Sequence, residues 1–97
     1  MEVLRPKRLE THPGDAVIPW ARRQLEVAGE IVDNPGGGLL FASQTIGQVR
    51  AALFERNPER WEEVVAILER AEDAAVHREF DESRRLLAEA LEKISPR

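Results

Sequence analysis

The sequence predicts an all-α chain. The expected form is a small four-helix domain whose last two helices make an antiparallel hairpin, behind an extended basic N-terminal arm. Three observations carry this expectation. Apolar residues return every three or four positions in four separate stretches, which is the period of a helix face and not the alternation of a strand. The stretches are separated by short breaks, two of which, Asp33-Asn34-Pro35-Gly36-Gly37-Gly38 and Asn57-Pro58, carry strong turn and helix-start chemistry. Aromatic residues are only 5% of the chain and Tyr is absent, so Ala and Leu must supply most of the packing, which suits close helix–helix contact better than a β-sandwich.

A chain of 97 residues fits one domain, placed at residues 15–97. A chain of this size buries roughly 60–70% of its unfolded surface, enough for one modest core without staples. Residues 1–14 hold Pro6, Pro13, Gly14 and the basic cluster Arg5, Lys7 and Arg8, with no apolar period; they read as an extended arm. The first helix is expected from Asp15 or Pro19 to Val32, with Asp15 as cap or Pro19 as first residue. Val17, Ala21, Leu25, Ala28 and Val32 fall on one face, widened by Trp20, Val27 and Ile31. Gly29 weakens this helix by about 1 kcal/mol relative to Ala. Three consecutive glycines then stop it.

The second helix carries Leu39, Ala42, Ile46, Val49 and Leu53 in a heptad-like stripe. Its expected start is Leu39 or Leu40, although Ser43, or Thr45 with Gln48 in capping-box spacing, offers a later one. Asn57 can cap a third helix with Pro58 in its first position, so the second ends near Arg56. The third is expected to bury Trp61, Val64, Val65, Leu68, Ala71 and Ala75, to expose Glu62, Glu63, Glu69, Arg70 and Asp73, and to end near His77 or Arg78. Asp81 is expected to cap a fourth helix, Glu82 to Ile94, with Leu86, Leu87, Ala90, Leu91 and Ile94 inward and Ser95-Pro96 as its stop. The joint of a few residues between the last two makes them an antiparallel pair.

Composition sets several chemistries aside. There is no cysteine, which excludes disulfides and thiolate metal sites. The first residues lack the apolar core of a secretory signal, and no apolar run approaches the ~20 residues of a membrane span, so a cytoplasmic location is expected. Arginine outnumbers lysine twelve to two, a bias that points to a high-GC bacterial or phage origin. The net charge is −4 and uneven: residues 1–25 carry five Lys/Arg against three Asp/Glu, residues 51–97 eight against twelve. An acidic second half disfavours nonspecific nucleic-acid binding.

Several motifs admit both a chemical and a plain structural role. The segment from Ser43 to Leu53 resembles a helix-turn-helix recognition segment, which would turn Ser43, Gln44, Gln48 and Arg50 to DNA, with Arg5, Lys7 and Arg8 on phosphates. The loose Asp33–Gly38 connection departs from that pattern. Phe80-Asp81-Glu82-Ser83 with Leu87, Ala90, Leu91 and Pro96 resembles the second helix of a tetratricopeptide repeat. The preceding helix departs from it, with Arg70 and Ala71 where that family favours Leu and Gly, and no second copy follows at the repeat spacing. Asp73 and His77, four apart on a helix and near Glu69 and Glu72, supply at most half a metal site, because His12 is in the arm. Gly36-Gly37-Gly38 lacks the Lys and preceding strand of a phosphate cradle. No nucleophile with a base and orienting acid can be assembled, and no cofactor is implied.

What remains is action by contact. The expected function is a non-enzymatic protein–protein interaction module, an adaptor, regulator or inhibitor. Its partner is another protein or a second copy in a homo-oligomer. The alternatives are a small helix-turn-helix-like regulator and a non-catalytic subunit of a larger enzyme. Phe41, Phe54 and Ile67 lie off the inward stripes and Trp20 at the edge of its own; these four are the expected contact residues.

Overall fold

The computed structural model describes residues 17–94. These form four helices and no strand: α1 Val17–Ile31, α2 Gly38–Arg56, α3 Glu62–Val76 and α4 Phe80–Ile94. The arm, the Asp15 cap and the Ser95-Pro96 stop lie outside the described residues. Each helix packs on its neighbour in sequence, most extensively α3 on α4, and α4 closes the arrangement against α1. Contacts at opposite ends fix the directions. Ser83 Oγ, early in α4, donates to the Ala71 carbonyl late in α3 at 2.9 Å, while Lys93 Nζ at the end of α4 lies 3.2 Å from Glu63 Oε2 at the start of α3. The last two helices are therefore the antiparallel hairpin that the sequence predicts.

The core is aliphatic. Leu25, Val32, Ile46, Val49, Leu53, Leu68, Leu86 and Ile94 are almost completely buried, and alanines at 21, 28, 42, 71, 75 and 90 let the helices approach closely. The stripes read from the sequence supply nearly all of these residues. One buried face is wider than its stripe. Ile67, expected off the buried face of α3, is 5% exposed, and Ala74, on no inward stripe, is 4% exposed. α3 packs against both α2 and α4, so its buried arc must cover two contacts instead of one. Ile67 thus belongs to the core and leaves the set of contact residues.

The α1–α4 seam is pinned by arginines at both ends. Arg84 Nε donates to the Gly29 carbonyl at 3.1 Å and its Nη2 lies 2.7 Å from Asp33 Oδ2, so a guanidinium meets the negative C-terminal end of α1. At the other end Arg22 Nη1 donates to the Leu91 carbonyl at 3.4 Å.

The connections explain the element boundaries. Gly36 and Gly37 take φ of 79° and 107°, the left-handed region that glycine enters without steric cost. α2 starts at once after them, at Gly38, so Ser43 and Thr45 are interior positions: Ser43 Oγ donates back to the Leu40 carbonyl at 3.1 Å and Thr45 is buried. After α2, residues 58–61 form a turn and the regular helix starts at Glu62, later than Pro58. Asn57 therefore does not cap α3, whose N-cap position is Trp61 without a side-chain bond; instead its Oδ1 accepts from the Arg60 amide at 3.1 Å and closes the turn between α2 and α3. Asn57→Ala is expected to cost about 1 kcal/mol through that lost bond, read as a lower urea midpoint at unchanged slope.

The α3–α4 joint is a Schellman turn. Arg78 N–H donates to the Ala75 carbonyl at 2.9 Å and Glu79 N–H to the Ala74 carbonyl at 2.8 Å, with Arg78 at φ 63°. A side chain in that conformation is unfavourable by roughly 1–2 kcal/mol. Arg78→Gly is therefore expected to raise stability by about 1 kcal/mol, net of glycine's larger unfolded-state entropy. Thermal denaturation checks it, and a lowered midpoint would contradict the turn. The same turn corrects the cap of α4. Ser83 N–H donates to the Glu79 carbonyl at 2.9 Å, so the helix begins at Phe80 and Asp81 is inside it, 3.3 Å from Arg84 Nη1.

Candidate contact surface on the second helix

α2 carries the largest exposed apolar groups opposite its buried side; α1 exposes Trp20 and Val27 to a lesser degree. Its inner side buries Ala42, Ile46, Val49 and Leu53. Its outer side leaves Leu40 62%, Phe41 52% and Phe54 54% exposed, together with exposed Gln44, Gln48 and Ala51. At about 100° per residue, Leu40, Gln44 and Ala51 lie in one narrow band, flanked by Phe41 on one side and Phe54 on the other. From Leu40 to Phe54 the band runs about 21 Å at 1.5 Å per residue.

The band holds no charge. Arg50 is the one charged residue of the helix between Gly38 and Phe54. It leaves the outer face to meet α3, with Nη2 2.9 Å from Glu72 Oε1 and Nη1 3.9 Å from Glu69 Oε2. In a chain that is 33% charged, four turns of exposed helix without an ionised group are unusual. Solvent-facing helix positions ordinarily carry charge, and the centres of protein interfaces are depleted of it.

Of the four residues expected at a contact surface, Phe41 and Phe54 share this face, Trp20 is 38% exposed in the first turn of α1, and Ile67 is buried. Leu40 belongs with the first two. The sequence already shows it pointing away from Ile46 and Val49. Val76, 59% exposed in the last turn of α3, gave no such signal because one isolated apolar residue at a helix end has no period.

The residues proposed for DNA fare differently. Gln44 and Gln48 are exposed, but Arg50 is committed to Glu72, and Gln44 begins only in the second turn of a long helix. Arg5, Lys7 and Arg8 lie outside the described residues.

A shallow groove of about 360 Å³ runs between α3 and α4, lined by Glu69, Arg70, Asp73, Ala74, Glu79, Glu82 and Leu86. Three of its carboxylates, Glu69, Asp73 and Glu82, serve local pairs. Arg85 Nη2 sits 2.6 Å from Glu82 Oε2 and holds that carboxyl below its usual range. Asp73 joins His77, but Glu72 turns to Arg50, so no cluster of three metal-ligating side chains forms among the described residues.

His77 follows the last turn of α3. Its Nδ1 lies 2.8 Å from the Asp73 carbonyl and 3.5 Å from the Asp73 carboxylate, and the first of these raises its pKa above 6.5 with help from the second. A folded value above the unfolded one stabilises fully below the unfolded pKa and is lost as pH rises through the folded pKa. His77→Gln should therefore destabilise more at pH about 5.5 than at pH about 8.5. An NMR titration of the ring should place its midpoint above 6.5.

No helix among the described residues is long and apolar enough to cross a membrane. No protein-family model, no curated protein and no solved structure matches this chain, so its function must be argued from the surface itself.

Proposed function

We propose that the chain is a non-enzymatic protein–protein interaction module that works through the outer face of α2. One observation carries the reading: Leu40, Phe41 and Phe54 stand exposed on a helix face without an ionised group, while a separate face of the same helix completes the core. Burying such a face gains about 25 cal/mol per Å² of apolar area with little desolvation cost from charged groups. The ionisable groups with displaced pKa support contact over catalysis, because they are surface ion pairs and a helix end: Asp33 with Arg84, Glu82 with Arg85, and His77.

The test compares the wild-type chain with Phe41→Glu/Phe54→Glu, immobilised and exposed to a lysate of the source cells. Both positions face water, so the variant should keep its helical circular dichroism. The reading expects saturable retention of a protein species, this chain included, by the wild type and its loss from the variant. Equal retention by both would contradict it.

A further inference from the structure

We infer that the occupant of the outer α2 face is a second copy of this chain, with the two α2 helices antiparallel across a two-fold axis near Gln48. The inference rests on the reading of α2 as a contact face and names its partner.

The argument is one of charge. A second copy brings the same net charge of −4 and the same distribution. Like charges set opposite each other are costly, so a surface can meet its own image only where it is neutral or internally balanced. The outer side of α3 fails that condition, with Glu62, Glu63, Glu69 and Asp73 exposed against Arg70 alone. The α2 band meets it. Its polar members are glutamines, whose amides both donate and accept and can therefore pair with themselves.

The spacing is also self-complementary. An antiparallel pair with its axis at position 47–48 sets Leu40 against Phe54 of the other copy twice, Gln44 against Ala51 twice, and Gln48 against itself. Large side chains meet at both ends of the seam and small or amide ones in the middle. Leu40 and Phe54 lie about 40° apart at the edge of the band away from Phe41, so they meet across a two-fold perpendicular to the helices. Glu55 and Arg56 lie beyond Phe54, where an interface carries its polar rim. Four helical turns bury well under the ~800 Å² per partner of a standard stable interface. The dimer is accordingly reversible, forming between micromolar and millimolar concentration, and nearly insensitive to salt because no ion pair holds it.

The experiment is sedimentation of the full chain over that concentration range, with Leu40→Lys, Phe54→Glu and the double variant carrying both. The wild type should shift from monomer to dimer. Each single variant should lose at least tenfold in association, since it sets two charges against apolar groups. The double variant should recover most of the loss, because Lys at 40 then faces Glu at 54 in both halves, and its association should now weaken with added salt. Recovery specific to that pair supports the antiparallel register. A wild type that stays monomeric at millimolar concentration overturns the second copy. If that monomer still retains another protein that Phe41→Glu/Phe54→Glu loses, α2 remains a contact face and only its occupant was misassigned. Association that survives both single variants but is lost on Val76→Glu places the interface elsewhere and overturns both.

Discussion

Gly38→Ala should be among the most damaging single substitutions in the protein. A methyl group at position 38 would overlap the Ile31 carbonyl oxygen and sit 2.8 Å from Asn34 Cβ. The first is backbone and cannot rotate away, so relief requires the α1–α2 junction to open. That junction also carries the buried Val32 and the Asp33 carboxylate that receives Arg84. Overpacking ordinarily costs about 1–3 kcal/mol; here a moved backbone adds to it, and a loss of about 3–4 kcal/mol is expected in urea denaturation. Gly29→Ala is the matched control. Its methyl would meet Leu87 Cδ1 at 3.6 Å, an ordinary contact, so up to about 1 kcal/mol of helix propensity should be gained. Opposite signs at the two positions would separate close approach from any general effect of removing glycine.

Leu68→Ala is the second large effect. Leu68 is fully buried in α3, the helix that packs on both α2 and α4. Deleting a buried leucine costs about 2–5 kcal/mol, and the upper half of that range applies where the walls cannot collapse. Two neighbouring helices held by their own connections form such walls. For a domain whose total stability is about 5–15 kcal/mol, the loss should be plain in the denaturation midpoint. Val65→Ala, at a half-buried position on the same helix, should cost clearly less. A neutral Leu68→Ala would mean that α3 is turned the other way.

Most of the fold was legible because helices declare themselves locally. The repeat of Leu39, Ala42, Ile46, Val49 and Leu53 needs no knowledge of a partner helix to reveal its inward side, and Asn57-Pro58 marks the break between α2 and α3 although Asn57 does not cap the latter. What escaped was set by tertiary contact. Ile67 and Ala74 are buried because α3 has two neighbours, which no period within α3 can announce. Gly38 is required because two chain segments touch, and sequence shows only that glycine is present. Asp81 offered cap chemistry, but the Schellman turn at Arg78 supplied the Glu79 carbonyl first and α4 begins two residues earlier, at Phe80.

The candidate site was legible in part for the same reason. Phe41 and Phe54 stand out as large residues on the wrong side of a clear stripe. Arg50 did not: on the sequence it is one more basic group on an exposed helix, and only Glu72 and Glu69 across the α2–α3 contact withdraw it from the outer face. That pairing leaves the band uncharged and turns toward α3 the one cation of the segment from Ser43 to Leu53.

The central claim is that α2 has two working faces, one completing the core and one left for a partner. A concentration series of amide-resolved NMR spectra on the full chain tests it most directly. Between micromolar and millimolar concentration, the account predicts moving signals confined to residues 40–54 of α2, with α3 and α4 still. Movement centred on the groove of Glu69, Asp73 and Glu82, or spectra that do not change at any concentration while no other protein is retained, would contradict it.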